Sequence, residues 1–276
     1  AVIVKSRDDV RQEQLAMQLI TLLSQIFKRE SLPLRLYPFQ VLATHGDSGL
    51  IEMVPDTLSL HGLKRNMIKA RMASRAGSGA VGPVGTPTLS EYFQERFGGD
   101  IGRLSEAKYN FACSLAAYSV VCYLLQIKDR HNGNILLDRA GHVVHIDFGF
   151  MLSNSPGGIN FEQAGFKLTR EMVDLLGGER HPLFQQFKRM CVDGYIEARR
   201  HATQIVMLVD VTRAGQPDLP CFTSRGVVDE LRERFRLRLG QAEAREHFQS
   251  VINDAVDNWF TRQYDKFQRI TNGILE

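Results

Sequence analysis

The motif Asp129-Arg130-His131-Asn132-Gly133-Asn134 and the motif His145-Ile146-Asp147-Phe148-Gly149 lie close together in this sequence of 276 residues. The segment between them reads as two short strands that turn at Arg139-Ala140-Gly141, which predicts a β-hairpin. A hairpin would bring Asn134 next to Asp147. An amide oxygen beside a carboxylate suits a magnesium ion held jointly with phosphate groups. The two motifs therefore predict a site for phosphate chemistry.

Asp129 supports the same interpretation through its spacing. It precedes Asn134 by the interval that separates base and metal ligand in the protein-kinase catalytic loop, Asp-x-x-x-x-Asn. An Asp-Phe-Gly turn alone is common, so the order, spacing and hairpin together are what indicate phosphoryl transfer. Either Asp129 or His131 would orient the attacking hydroxyl or accept its proton. A cationic His131 would alternatively stabilise the transferred phosphoryl group.

Composition and charge place the chain among ordinary folded domains. Hydrophobic residues make up 43% and charged residues 24% of the sequence, which argues against disorder. No apolar run approaches the roughly 18 residues that a membrane-spanning helix needs. A net charge of +3 is too small to indicate nucleic-acid binding, although it permits weak attraction to an anionic membrane surface. The four cysteines show no metal-ligand spacing, which predicts buried free thiols in a reducing cytoplasm.

The chain divides into a strand-rich first part and a longer helical part, which predicts an α+β fold with a cleft between the two. In the first part, strands are predicted at 34–43 and 50–54, after a helix that Asp8 and Asp9 would cap. Residues 73–87 read as a mobile loop, because small residues and prolines recur there without a period. Helices are predicted at 105–127, 171–176, 182–200, 227–238 and 243–270.

Several distinctive phrases occur along the chain: DDVRQE at 8–13, LLQIKDRHNGNILLD at 124–138, FKLT at 166–169, GG at 177–178, LPCF at 219–222 and TNGI at 271–274. With them the sequence resembles the phosphatidylinositol 3-/4-kinase superfamily, whose catalytic loop reads Asp-Arg-His-x-x-Asn. Within that superfamily it is most similar to the type III phosphatidylinositol 4-kinases of the beta type.

The resemblance implies a bilobal, protein-kinase-like fold with a partial strand-rich N-lobe and a larger helical C-lobe. It implies a partial N-lobe at 1–54 that ends in the hinge, a segment after the hinge at 55–103, and the C-lobe at 104–276. Within the C-lobe it implies a catalytic loop at 128–134, a metal motif at 147–149 and an activation loop at 147–170. In the family a glycine- or serine-rich loop over the phosphates precedes the equivalent of Lys5. This chain begins four residues before Lys5, so the isolated chain is expected to have weak activity or none.

The resemblance also assigns nucleotide-binding roles. Lys5 would contact the phosphates of ATP, and Glu13 would help to order that region. The run Ile51-Glu52-Met53-Val54 resembles the hinge, where the backbone carbonyl of Glu52 and the amide of Val54 would hold the adenine. Phe39, which stands where relatives usually have Tyr, and Ile146 would line the pocket. Mg²⁺, or Mn²⁺ in its place, would be the metal between Asn134 and Asp147.

The segment after Gly149 lies against the lipid headgroup in this superfamily. Residues 150–166 contain no Lys or Arg, and Lys167 follows at the end. A headgroup that already carries phosphates needs several cations for charge-assisted hydrogen bonds. The segment therefore predicts an uncharged inositol ring as the acceptor. The side chains predicted to bond the ring hydroxyls are Ser153, Asn154, Ser155 and Asn160.

The function implied is transfer of phosphate from ATP to the 4-hydroxyl of phosphatidylinositol in membranes. The resemblance further implies a cytoplasmic, peripheral membrane protein of Golgi-type membranes, with adaptor proteins or small GTPases as partners of the full-length protein. The preference for the 4-hydroxyl comes from the resemblance alone. A phosphatidylinositol 3-kinase, a protein kinase of the related large family and a non-catalytic scaffold remain as alternatives. The aromatic and basic residues of 251–270 would either pack on the C-lobe or rest at a bilayer interface.

Overall fold

The computed structural model describes residues 1–78, 85–156 and 164–276, and within them the strands form two antiparallel sheets. The first sheet has the order β1-β3-β2, and the second, which contains the hairpin between the two motifs, has the order β4-β5-β6. The strands are β1 Val2–Ser6, β2 Val41–His45, β3 Ser48–Glu52, β4 Thr57–Ser59, β5 Ile135–Asp138 and β6 Val143–His145.

Helices make up most of the remaining described chain. They are α1 Arg11–Arg29, α2 Leu60–Ser78, α3 Leu89–Phe97, α4 Ile101–Leu125, α5 Arg170–Leu175, α6 Pro182–Arg200, α7 Ala202–Gly215, α8 Val227–Arg234, α9 Gln241–Ala255 and α10 Trp259–Asn272. The first sheet and α1 form a small strand-rich part, and the helices from α3 onward form the larger part. The predicted α+β class is therefore confirmed. Among the described residues, no helix is both long enough and apolar enough to cross a bilayer.

Helix α4 is the centre of the larger part. From Phe111 to Leu125 every residue of it is buried, as expected for a helix that is apolar on all sides. It packs mainly against α6 and also contacts α3, α8 and β6. It starts four residues before the predicted helix at 105–127, because Asp100 accepts a hydrogen bond from the Arg103 amide as its N-cap. Its left-handed C-cap, Gln126, turns the chain directly into the catalytic loop.

Helix α1 joins the two parts of the molecule. Its apolar face packs against β2, α6 and α7. The predicted caps Asp8 and Asp9 are wrong, because Val10 stands at the N-cap position without a side-chain hydrogen bond. Asp9 instead accepts the Arg11 amide at 3.0 Å and pairs with the Arg11 guanidinium at 2.7 Å.

Three predicted elements before α3 differ in extent, and the smallest difference is the strand predicted at 50–54, which is β3 at Ser48–Glu52. The predicted strand 34–43 begins only at Val41, because Pro38 has no amide to donate and the buried Leu34, Leu36 and Phe39 pack into the core from an irregular segment. The predicted mobile loop 73–87 is helical up to Ser78 as the end of α2, where Ala and Arg continue a helix readily. Residues 79–84 of that prediction lie outside the described residues.

The helical part also differs from the prediction. Helix α3 was missed, although its capping box of Thr88 and Glu91 is a sequence signal, and α7 was missed as well. The predicted helix 243–270 is two helices, α9 and α10. The break occurs because the Asp257 amide donates to the Leu168 carbonyl at 2.8 Å, and Asn258 then caps α10. The helix predicted at 182–200 is confirmed, and the one predicted at 227–238 ends at Arg234.

Candidate active site

Arg130 ties the two motifs together from inside the protein. Its buried guanidinium donates to the backbone carbonyl of Lys128 at 2.9 Å, to that of Ile146 at 2.8 Å and to that of Asp147. The guanidinium also lies over the Phe148 ring, 5.5 Å from its centroid. One side chain therefore fixes the catalytic loop relative to the metal motif. Sequence reasoning assigned no role to Arg130, since its position in Asp-Arg-His does not reveal that it points inward.

The predicted hairpin is confirmed and brings the two candidate metal ligands to the same end of β5 and β6. Ile135 pairs with His145, and the Ile146 amide donates to the Asn134 carbonyl at 3.1 Å. The Asn134 side-chain nitrogen donates to the Asp129 carbonyl at 3.1 Å, which leaves the amide oxygen as an acceptor. Asp129 and Asp147 both have left-handed backbones, with φ of 61° and 59°, a conformation that clusters at active sites.

The donor set at this position suits a metal that is shared with phosphate. Asn134 and Asp147 both line one cleft and supply an amide oxygen and an exposed carboxylate. Within the part of the chain that the structure describes, no three His, Cys, Asp or Glu side chains gather into a metal cage. Mg²⁺ usually takes one or two protein oxygens and completes its shell with water and phosphate oxygens. The residues present therefore fit Mg²⁺ and do not fit a structural metal.

The cleft lies between the first sheet and the hairpin and has a volume of about 640 Å³, which is enough for a nucleotide. Its walls include all of the predicted nucleotide- and metal-binding residues: Lys5, Glu13, Phe39, Ile51, Glu52, Met53, Val54, Asn134, Ile146 and Asp147. Further lining residues that sequence reasoning did not single out include Tyr92, Arg96, Leu136 and Asp138. Residues separated by more than a hundred positions thus meet around one cavity.

Two charged residues from the first part face the metal end of the cleft. The Lys5 ammonium pairs with Asp8 at 2.9 Å, and this hydrogen bond raises the pKa of Lys5. Burial raises the pKa of Glu13 to about 7, and the nearby charge of Asp147 raises it further, while Lys5 opposes the shift. The Asp147 amide also donates to Glu13. Glu13 thus contacts the metal motif, whereas Lys5 has Asp8 as its partner.

Asp129 and His131 lie beside the cleft rather than in the wall that contains the nucleotide candidates. The His131 Nε2 atom is 3.8 Å from Asp129 Oδ1. His131 Nδ1 accepts the Gly133 amide at 3.0 Å, which places the proton of a neutral ring on Nε2. Burial lowers the pKa of His131, although the charge of Asp129 opposes the shift. The protein surroundings of His131 therefore favour its neutral form.

The predicted headgroup residues already have partners within the protein. Ser153 donates to the Cys221 carbonyl at 2.7 Å, and Asn154 accepts the Met151 amide at 2.7 Å and donates to the Gly149 carbonyl at 3.0 Å. Ser155 accepts from the Lys128 ammonium at 2.7 Å. Their assignment to the headgroup stays a prediction, and Asn160 lies outside the described residues.

Lys167, the cation at the end of this segment, is engaged in the interior. Its ammonium pairs with Asp265 of α10 at 2.6 Å and donates to the Asn132 side chain at 3.2 Å. Both members of the ion pair are more than nine-tenths buried. The positive charge of Lys167 is thus neutralised within the protein.

Sequence reasoning missed two further groups of contacts. Gln12 of α1 donates to the Phe148 carbonyl at 2.8 Å and accepts from Asn154 at 3.4 Å, so it joins the first part to the metal motif. On α10, Tyr264 and Gln268 both donate to Asp129 Oδ1. The sequence signal for α10, an amphipathic stripe, indicated a helix but not which residues it contacts.

An Asp-x-x-x-x-Asn loop and an Asp-Phe-Gly motif at one end of a nucleotide-sized cleft define a kinase-like fold. Comparison with known proteins narrows this class: residues 1–221 match the family described as "Phosphatidylinositol 3- and 4-kinase". The chain belongs to this family, as the motifs predicted.

Similar proteins include "Phosphatidylinositol 4-kinase" of Dictyostelium discoideum, 46% identical over 278 residues that cover 100% of this chain and 22% of that protein. "Phosphatidylinositol 4-kinase beta 2" of Arabidopsis thaliana is 44% identical over 279 residues, which cover 99% of this chain and 23% of that protein. "Phosphatidylinositol 4-kinase beta" of Xenopus laevis is 39% identical over 276 residues, which cover 100% of this chain and 32% of that protein. The chain thus spans less than a third of the length of each of these relatives.

Proposed function

We propose that this chain is the catalytic domain of a lipid kinase that transfers the γ-phosphate of ATP to the 4-hydroxyl of phosphatidylinositol. The observation that carries the proposal is the cleft of about 640 Å³ that gathers all ten predicted nucleotide- and metal-binding residues. The 39–46% identity to proteins named phosphatidylinositol 4-kinase, over essentially the whole chain, supports this choice of acceptor and position.

The nucleotide would bind with its adenine between Phe39, Ile51 and Ile146, where the walls are apolar. The backbone after β3 would supply the adenine hydrogen bonds, with the Glu52 carbonyl and the Val54 amide as partners. Lys5 would then turn from Asp8 to the phosphates. Because strand β1 holds the backbone of Lys5, its ammonium would stay near the phosphates and stabilise the negative charge that develops during phosphoryl transfer.

Asn134 and Asp147 would hold Mg²⁺, or Mn²⁺ in its place. When bound, the metal neutralises charge on the β- and γ-phosphates. Arg130 supports these two ligands indirectly, because it fixes the backbone on both sides of the hairpin. Glu13 would add negative charge near the metal once it is ionised, and its pKa of about 7 would fall beside a cation.

Asp129 would accept the proton of the inositol hydroxyl, and His131 would orient that hydroxyl. Because His131 Nδ1 accepts from the Gly133 amide, its Nε2–H is the group available to donate. A carboxylate that accepts while a neutral imidazole donates can hold one hydroxyl between them. The tautomer and the lowered pKa of His131 support this division of labour.

The acceptor would be an inositol ring without further phosphates. The described residues 150–156 and 164–167 contain one cation, Lys167, and it is paired with Asp265. Lys128 of the catalytic loop also lies near this segment, where it donates to Asn154 and Ser155. A phosphorylated headgroup would enter without a charge partner. On this proposal Ser153, Asn154 and Ser155 shape the segment through their own hydrogen bonds and thereby set the entrance to the site.

The substrate is a membrane lipid, so the domain would act at a membrane surface. On α10 the Trp259, Phe267 and Ile270 side chains are 57%, 56% and 84% exposed, next to Lys266 and Arg269. Exposed aromatic and basic residues of this kind favour an interfacial contact. Peripheral attachment to Golgi-type membranes, through adaptor proteins or small GTPases bound by other parts of the full-length protein, belongs to the same proposal.

The test is phosphate transfer from [γ-³²P]ATP to phosphatidylinositol vesicles by the full-length protein. The expected product is phosphatidylinositol 4-phosphate, with the position established by chromatography of the deacylated lipid. A 3-phosphate product would make the protein a phosphatidylinositol 3-kinase. Transfer to peptides but not to vesicles would indicate a protein kinase, and the absence of any transfer would favour a scaffold.

A further inference from the structure

Helix α10 buries a face that carries polar groups and exposes large apolar side chains, whereas an amphipathic helix is expected to do the reverse. Its buried residues are Thr261, Tyr264, Asp265 and Gln268, each of which carries a polar group, and their spacing puts them on one face. The large apolar side chains Phe267 and Ile270 are exposed. A helix normally buries its apolar stripe. Polar groups are buried at a cost unless each finds a partner, so the partners of this face show what the helix is built to contact.

Two of these four residues share one partner, Asp129 of the catalytic loop. Tyr264 donates through its hydroxyl to Asp129 Oδ1, and Gln268 donates to the same oxygen at 3.4 Å. Gln268 also donates to the Tyr264 hydroxyl at 2.7 Å. The two residues lie one helical turn apart and act as a pair on one carboxylate oxygen.

Independent contacts fix the position of the helix. The buried pair of Asp265 and Lys167 joins α10 to the segment that precedes α5, at 2.6 Å. After the helix, the Leu275 carbonyl accepts from Asn132 at 3.0 Å, and the Leu275 amide donates to His61 at 2.9 Å. The Tyr264 hydroxyl is therefore held in place by contacts that do not involve Asp129, as a group that orients another side chain must be.

Both donors use the same oxygen of Asp129. Among the described residues, the hydrogen bonds to this carboxylate fall on Oδ1, and His131 Nε2 also lies nearest to Oδ1, at 3.8 Å. Among the same residues, no hydrogen bond falls on the second oxygen, Oδ2. The left-handed backbone of Asp129 is of the kind that persists only where the surrounding contacts fix it.

We propose that Tyr264 and Gln268 are positioning residues, which hold Asp129 by Oδ1 so that Oδ2 faces the inositol hydroxyl. This inference rests on the proposed function, because it takes Asp129 as the proton acceptor. It gives the buried face of α10 a part in catalysis, separately from any contact of its exposed face with lipid.

The test compares Tyr264→Phe with Tyr195→Phe in the full-length protein, using transfer to phosphatidylinositol vesicles. Both substitutions remove one buried hydroxyl, and the hydroxyl of Tyr195 donates to the Arg234 carbonyl at 2.9 Å, away from the cleft. We expect Tyr264→Phe to lower kcat about ten-fold with KM for ATP unchanged, because a misplaced base loses part of its contribution. Tyr195→Phe should keep the wild-type kcat.

A wild-type kcat in Tyr264→Phe, an equal fall in both variants, or a change confined to KM would overturn the inference. A rise in kcat would also overturn it, since α10 would then restrain Asp129. If Tyr264→Phe fails to fold, Gln268→Met decides: a fall of about three-fold in kcat supports the inference and an unchanged kcat rejects it. A wild-type protein without lipid transfer would instead reject the proposed function, and this inference with it.

Discussion

The catalytic loop at 128–134 and the segment at 150–156 both carry polar side chains, but these side chains have different partners. In the first region and the adjoining metal motif, Asn134 and Asp147 line the cleft. In the second, the side chains of Ser153, Asn154 and Ser155 are bonded to the protein itself. The comparison shows that residue type predicts which chemistry a segment can do, whereas the partners of each side chain within the fold decide whether a ligand meets that chemistry.

Asp147→Ala should have the largest effect, because it removes the carboxylate that would hold the metal. We expect transfer to phosphatidylinositol to fall about 10³-fold or more. Initial rates in the full-length protein measure this. Since Asp147 has φ of 59°, a region that Asp tolerates better than Ala, the substitution also adds backbone strain, by less than the roughly 1–2 kcal/mol that the left-handed conformation costs.

Asp257→Ala is the matched control, because Asp257 has a φ of 47° outside the cleft. It should show comparable destabilisation in thermal unfolding and keep its transfer activity. Wild-type turnover in Asp147→Ala would contradict the assignment of Asp147 to the metal, and with it the contrast between the two regions.

Lys167→Met should have the next largest effect, on stability. It leaves the Asp265 carboxylate buried without its cation, which costs about 3 kcal/mol in the free energy of unfolding. Denaturant unfolding measures the loss. The double variant Lys167→Met/Asp265→Leu should recover most of it. Lys188→Met, which removes an exposed lysine bonded to Asn253, is the control with little expected change. An unaltered stability in Lys167→Met would mean that Lys167 is free to bind a headgroup.

Ser153→Ala should have a smaller effect, of about 1 kcal/mol on the free energy of unfolding. The substitution removes the hydroxyl that donates to Cys221 and accepts from the Ser224 amide. We expect KM for phosphatidylinositol to stay at the wild-type value, because the hydroxyl serves the fold. Ser74→Ala, at an exposed position of α2, is the control for loss of a hydroxyl. A raised KM without loss of stability would return Ser153 to the headgroup.

The pH dependence of His131 should give the smallest effect. Its pKa is lowered in the folded protein, so the folded state binds fewer protons than the unfolded state as the pH falls. The stability that neutral His131 contributes is therefore complete when the pH is above the ordinary histidine pKa of about 6.5, and it is lost as the pH falls below that value. Wild type should lose more stability than His131→Gln between about pH 7 and pH 5. Equal pH profiles would show that His131 is not held neutral by burial.

The parts of the site that sequence predicted are those that depend on local spacing. The hairpin between the motifs, and hence the approach of Asn134 to Asp147, follows from a turn of a few residues. The walls of the cleft followed from the family resemblance, because whole phrases of the chain match it. Local patterns also located α6 within its observed bounds.

The remaining features depend on contacts between distant parts of the chain. The bond from Tyr264 to Asp129 joins residues 135 positions apart, and no local pattern encodes it. The break between α9 and α10 arises because Asp257 bonds to Leu168. Likewise, Lys167 stands at the end of a cation-poor segment, so the sequence suggests that it is available to a ligand. Only its ion pair with Asp265 shows that it is not.

A competition between two lipids shows whether the entrance to the site holds a free cation. Vesicles containing equal amounts of phosphatidylinositol and phosphatidylinositol 3,5-bisphosphate, both of which have a free 4-hydroxyl, would be given to the full-length protein with Mg²⁺ and [γ-³²P]ATP. We expect nearly all of the label to enter phosphatidylinositol, at the 4-position. Comparable labelling of the bisphosphate would contradict it, because the entrance would then contain a cation that the structure places in the interior.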